Sequence, residues 1–103
     1  MALRLHRLAD SEFRDAIRWY RAESSDIALR FHQSVVETLT RIEVNPQSFP
    51  VLETIGEATH IRRARVFGFP YVLIFELLDQ DVYVFAIAHT SRRPKYWRRR
   101  EKP

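Results

Sequence analysis

Apolar and polar positions change period along the chain, and the changes divide it into elements. Residues 3–8 alternate loosely, with Leu3 and Leu5 on one side, which predicts a short first strand. Ala9, Phe13, Ala16, Ile17 and Tyr20 then recur at helical spacing, while Arg14, Asp15, Arg18 and Arg21 lie off that stripe. Asp10 is placed to cap this helix, and Trp19 falls at the edge of the stripe. Ser24-Ser25-Asp26 is a break and a second cap. Ala28, Phe31, Val35, Leu39 and Ile42 form one face of a second helix over residues 27–44, which Asn45-Pro46 ends. So short a connection folds the two helices back as an antiparallel hairpin.

Residues 45–59 hold Pro46, Pro50 and Gly56 without periodicity, and read as a connecting loop. From His60 the pattern shifts to period two or to continuous apolar runs. It predicts a strand over 61–67, a turn at Gly68-Phe69-Pro70, and strands over 71–78 and 82–89 joined by Asp79-Gln80-Asp81. Pro94 suits the first turn of a short final helix over 95–100. The order is β-α-α-β-β-β with a short C-terminal helix. The expected fold is α+β: one domain over residues 1–103, with a helical hairpin packed on a twisted, mainly antiparallel sheet of four strands.

With simple register in the last hairpin, Val72, Ile74 and Leu78 share the helix-facing side with Val82, Val84, Ala86 and Ala88. A bulge would reverse that registration. The opposite side then carries Tyr71, Leu73, Phe75, Leu77, Tyr83, Phe85, Ile87 and His89, too apolar a set to face water. Its cover is either another chain or the final helix folded back, and the sequence leaves both open.

Composition narrows the class. At 103 residues, 46% apolar and with two glycines, the chain makes a single well-formed core. It has no cysteine, and His6, His32, His60 and His89 show no HxxxH or HxH spacing, so neither metal nor cofactor is expected. The opening residues show no signal-peptide apolar region. The longest apolar run, 66–78, is broken by Gly68, Pro70 and Glu76, so no membrane span and a cytoplasmic location are expected. The charge is uneven. Residues 89–103 carry seven Lys/Arg and one acid, while residues 1–88 carry ten against twelve. The formal +4 therefore belongs entirely to the last fifteen residues, where Tyr96 and Trp97 interrupt the cations. Such an end points to an anionic partner.

Asp79 and Asp81 sit in a hairpin turn and read as structural. The chemistry falls to Arg62 and Arg63 on the second strand, Tyr71 opening the third, His89 closing the fourth, then Arg92, Arg93, Lys95 and Tyr96. In antiparallel order these strand ends converge at one rim. Arginines pair bidentately with phosphate oxygens, and histidine exchanges a proton near neutral pH. Metal-free RNA cleavage needs a base for the 2′-hydroxyl, cations at phosphorus and a proton donor for the leaving oxygen. The same groups would also serve plain phosphate binding.

The element order, the helix with Asp10, Ala16-Ile17 and Trp19-Tyr20, and the segments Ile61-Arg62-Arg63, Phe69-Pro70-Tyr71 and His89-x-x-Arg92-Arg93-Pro94-x-x-Trp97 resemble the RelE/ParE toxin superfamily. These are the toxins of type II toxin–antitoxin modules, also labelled plasmid stabilisation proteins. The similarity spans nearly the whole chain and is most specific in its C-terminal half. It implies a microbial-ribonuclease-like fold, a cognate antitoxin whose C-terminal segment wraps the toxin, and operator DNA contacted only through that antitoxin. It also implies one of two targets. RelE-like members are endoribonucleases that cleave mRNA in the ribosomal A site without metal. ParE-like members bind DNA gyrase without cleavage.

Carried over by position, His89, Arg62 and Arg93 take catalytic places, with Tyr71 and Tyr96 as further candidates; Arg63, Arg92, Lys95, Tyr96, Arg98 and Arg99, read from the basic and aromatic pattern, are expected to hold the target. Residues 52–60 carry Glu53 and Glu57 and no lysine, where RelE supplies catalytic lysines. That leaves histidine-centred cleavage or none. The expectation leans to ribosome-dependent mRNA cleavage, with a gyrase inhibitor as the alternative. A member that only binds its partner is the third reading.

Overall fold

The computed structural model describes residues 2–55 and 59–101. Strand β1 (Leu3–Leu5) leads into α1 (Arg7–Glu23) and α2 (Ser25–Val44), followed by β2 (Val51–Ile55), β3 (Thr59–Arg65), β4 (Tyr71–Leu78) and β5 (Asp81–His89). The strands form one sheet in the order β1-β5-β4-β3-β2, with β1 parallel to β5 and the other pairs antiparallel. Two helices on a mixed sheet is the α+β architecture expected. Among the described residues no helix is long and apolar enough to cross a membrane.

Helix α1 starts three residues before the expected cap. His6 donates its N–H to Val84 O at 2.9 Å, the last rung between β1 and β5. Its ring then turns back, and Nδ1 accepts Leu8 N–H at 3.0 Å. His6 rather than Asp10 therefore caps the helix, and strand passes to helix within one residue. Ser24 serves both helices. Its N–H donates to Tyr20 O to close α1, and its hydroxyl accepts Ile27 N–H to open α2.

The expected loop over 45–59 is in part a strand. A 3-10 turn over Pro46–Ser48 precedes β2, which pairs along β3 and makes a fifth strand, not a fourth. The first two residues of β2 stand well out of the core, Val51 44% exposed and Leu52 39%. The ladder is also irregular between Val51 and Glu53, so alternation is lost there. Residues 56–58, including Glu57, lie outside the described residues.

The registration of the last hairpin also differs from expectation. The connection is two residues, with Leu78 opposite Asp81 and Leu77 opposite Val82. Tyr71, Leu73, Phe75 and Leu77 therefore face the helices, with Val82, Val84 and Ile87, Phe31, Val35 and Ile42. Further along, Ile74 pairs with Ala86 while Phe75 pairs with Val84, so Phe85 is an extra residue in β5. This bulge puts Phe85 and Ala86 on the same side and turns Ala88 outward with them. The far side of the sheet is thus Ile61, Val72, Ile74, Leu78, Tyr83, Phe85, Ala86 and Ala88.

The chain's own end covers part of that side. Trp97, only 4% exposed, packs beside Phe85 with ring centres 6.2 Å apart, and Tyr83 donates its hydroxyl to Glu101 O at 3.0 Å. The segment is not the short helix expected over 95–100. It is a run of turns closed by Tyr96 N–H to Arg93 O, Arg98 N–H to Lys95 O and Arg100 N–H to Trp97 O. Lys95 has a φ of 61°, a left-handed conformation that stops a helix where Pro94 would have started one.

Candidate target-binding site

The β4–β5 register sets Tyr71 directly opposite His89, and their rings meet edge to face at 5.1 Å. Tyr71 is wedged against Tyr20 and Phe31 of the helical layer. Burial pushes its phenol above the ordinary value, with Tyr20 and Glu12 adding to the shift. Thr90 N–H donates to Pro70 O, and Arg92 N–H to His89 O, so the chain turns sharply after β5. In that turn Ser91 N–H donates to His89 Nδ1 at 3.0 Å, with Ser91 Oγ 2.7 Å from the same nitrogen. Because Nδ1 accepts a backbone N–H, neutral His89 carries its proton on Nε2.

Two hollows meet at His89. One, of about 250 Å³, lies on the helix side and is lined by Glu12, Asp15, Trp19, Tyr71, His89, Arg92 and Tyr96, among others. The second, of about 240 Å³, lies on the far side against Arg63, Val72, His89, Arg93, Lys95, Tyr96 and Trp97, among others. The structure thus brings together most of the residues expected to form a site. Tyr71, His89, Arg92 and Tyr96 share the first hollow, and Arg63, Arg93 and Lys95 line the second beside His89.

Arg62 stands apart. It pairs with Phe75, four residues along β4 from the Tyr71–His89 pair, so the strand ends do not all converge at one rim. Its Nη1 donates to Phe49 O at 2.7 Å and Gln47 O at 3.4 Å, and the guanidinium holds the approach to β2. Alternation along β3 explains the exchange: Arg62 points with Ala64 to the helix side, Arg63 with Ile61 to the other. Arg98 is exposed and lines neither hollow. Arg99 is exposed on a third, basic hollow beside the start of α1.

The residue that organises this end was not foreseen. Glu12 Oε1 accepts Ile87 N–H at 3.1 Å and Arg100 Nη1 at 2.8 Å. Its Oε2 accepts the Tyr96 hydroxyl and Arg100 Nη2. Arg100 Nη1 also donates to Phe85 O at 2.8 Å. The backbone explains the arrangement. β1 leaves β5 at Val84, and beyond it the edge of β5 would expose Phe85 O and Ile87 N–H. The Glu12–Arg100 pair satisfies both in place of a strand. Burial, then the bond to Glu12, hold the Tyr96 phenol well above its ordinary value. Arg92 lies over the Tyr96 ring at 3.9 Å. One signal for Glu12 was in the sequence: it is a carboxylate three residues after Ala9 and four before Ala16, on the edge of the buried stripe.

Among the described residues no group of three His, Cys, Asp or Glu could hold a metal ion. Residues 3–94 match the family described as the ParE toxin of the type II toxin–antitoxin system parDE. The chain belongs to this toxin family. No curated protein matches it. Membership in a toxin–antitoxin family implies a cognate antitoxin as partner. The matched span takes in Tyr71, His89, Arg92 and Arg93, while Tyr96, Trp97 and Arg100 follow it.

Proposed function

We propose that this toxin arrests growth by gripping a protein target, DNA gyrase as for ParE-like members, and not by cutting RNA. The observation that carries the reading is the make-up of the hollow around His89. It contains no free base suited to the 2′-hydroxyl. His89 keeps Nδ1 on Ser91 N–H, so Nε2 is a donor in the neutral ring. Tyr71 is shifted away from ionisation, and Glu12 is already shared between Arg100, Tyr96 and Ile87 N–H. Asp15 is paired with Arg18 at 2.9 Å, and Arg62 is held elsewhere by Phe49 O.

What the site offers instead is an interface. Trp19 is 68% exposed on the wall shared with Tyr71 and Arg92. Trp, Tyr and Arg are the residue types that dominate protein–protein hot spots. The Glu12–Arg100 pair holds the neighbouring basic segment in one shape, which lowers the entropic cost of binding.

A second reading, ribosome-dependent mRNA cleavage, is favoured by the gathering of Tyr71, His89, Arg92 and Arg93 around one point. A paired experiment separates the two. Purified toxin is added to a gyrase supercoiling assay, and mRNA ends are mapped in cells expressing it without antitoxin. Blocked supercoiling with intact transcripts is the expected result. New mRNA ends with normal supercoiling would overturn the proposal.

A further inference from the structure

We propose a phosphodiester-binding basin between the first turn of α1 and the C-terminal turns, which adjoins the two hollows at His89 and shares Arg92 and Tyr96 with them. This hollow is about 720 Å³ and is lined by Arg7, Arg92, Arg93, Arg99, Arg100 and Glu101, among others. Arg100 is spoken for by Glu12, and Glu101 is the one carboxylate in the lining. Arg7, Arg92, Arg93 and Arg99 make no salt bridge among the described residues. All four are exposed. Four like charges around one concavity repel each other and weaken the folded state, so the arrangement calls for an anion that relieves it.

The ligand chemistry follows from residue type and shape. Every cation here is an arginine, whose planar fork meets two oxygens of one phosphate, whereas lysine offers a point charge. The basin is long enough in sequence terms to draw on both ends of the chain, Arg7 from the start and Arg99 from the end. A nucleic-acid backbone supplies phosphates in series, at a charge density that suits several guanidinium groups at once. Arg7 is the telling residue, because it lies far outside the basic C-terminal cluster and reaches this site only through the fold. Arg7 and Arg99 line this basin and neither hollow at His89, so they report on it apart from the toxin's protein target.

The test is fluorescence anisotropy of the purified protein with a labelled short DNA duplex and with single-stranded RNA of equal length. Titrations run at about 0.15 M salt and above, where long-range attraction is screened. Arg7→Gln and Arg99→Gln are each expected to weaken binding roughly tenfold, and to lower the slope of log affinity against log salt by about one. Arg30→Gln on α2 removes the same charge from an exposed position elsewhere and is expected to change nothing. Preference for duplex or single strand identifies which backbone the basin takes. Equal losses for Arg7→Gln and Arg30→Gln would overturn the proposal, reducing it to net charge. So would no binding at that salt, or competition by polyglutamate as strong as by nucleic acid. Unfolding midpoints matching the wild type show that the variants report on binding, and supercoiling inhibition is read separately.

Discussion

Glu12 and Arg100, eighty-eight residues apart, meet in a two-point ion pair whose side chains are only 15% and 11% exposed. The pair does three jobs at once. It joins α1 to the chain's end, it fills the edge of β5 that β1 leaves open, and it anchors Tyr96. A partly buried pair of this kind adds little over an apolar substitute, but removing one member strands the other's charge. Glu12→Gln is therefore expected to lower unfolding free energy by about 3 kcal/mol. Arg100→Met is expected to cost a similar amount, and the double variant less than the sum of the two. Urea denaturation of the four proteins checks this, and simple additivity would show that the pair is not coupled.

Trp97 is the main cover over the far side of the sheet. Its removal opens a cavity against Phe85 and uncovers the apolar face formed by the bulge. Trp97→Ala is expected to cost roughly 3–5 kcal/mol and to raise binding of a hydrophobic dye. Trp97→Phe, which keeps part of the packing, should recover most of the stability. Unchanged stability in Trp97→Ala would mean that this face needs no cover.

Much of the fold was legible, and the failures share a cause. The helices could be read because one buried stripe repeats every three to four residues from Ala9 to Tyr20 and from Ala28 to Ile42. The strands β4 and β5 were marked by β-branched and aromatic runs. What escaped depended on backbone pairing instead. β2 exists because β3 offers it an edge, and the side that Ala86 and Ala88 take depends on one extra residue, Phe85. No pattern of side chains announces a bulge whose two residues are both apolar. The site shows the same split. Tyr71 and His89 were joined by strand order alone, whereas Arg62 and Arg63 could be told apart only by register. Glu12 needed knowledge that β1 stops short of Ile87.

His6 makes stability depend on pH. Burial lowers its pKa from the ordinary 6.5, with Arg100 and Arg7 lowering it further and Glu12 and Glu101 opposing. Its neutral ring caps α1 by accepting Leu8 N–H, and a proton on Nδ1 would remove that acceptor. Tyr83, edge-on to the ring, adds no charge that would hold the imidazolium. The unfolded chain therefore binds the proton more readily, so stability rises with pH in this range. This contribution is complete above pH 6.5 and is lost as pH falls through the lowered value of the folded state. His6→Asn keeps a capping acceptor without the titration. Its unfolding free energy should fall less than the wild type's between neutral pH and the acid side of 6.5. Parallel curves for the two proteins would remove His6 as the source.

Arg62 and Trp19 give opposite readouts for the two functional readings. If RNA is cut with Arg62 in the catalytic place that the RelE/ParE resemblance gives it, Arg62→Ala should abolish toxicity in a folded protein. The bonds to Phe49 O and Gln47 O assign Arg62 a different task, that of holding the approach to β2. Arg62→Ala is then expected to lose about 1–2 kcal/mol of stability, while the folded fraction still inhibits its target fully. Trp19→Ala is expected to do the reverse. Its indole is largely in water, so stability should change by less than about 0.5 kcal/mol. Inhibition of supercoiling should fall at least tenfold, the loss expected of an interface anchor. Measuring inhibition per folded molecule for both variants separates the cases. A stable, inert Arg62→Ala beside a fully active Trp19→Ala would identify RNA as the target.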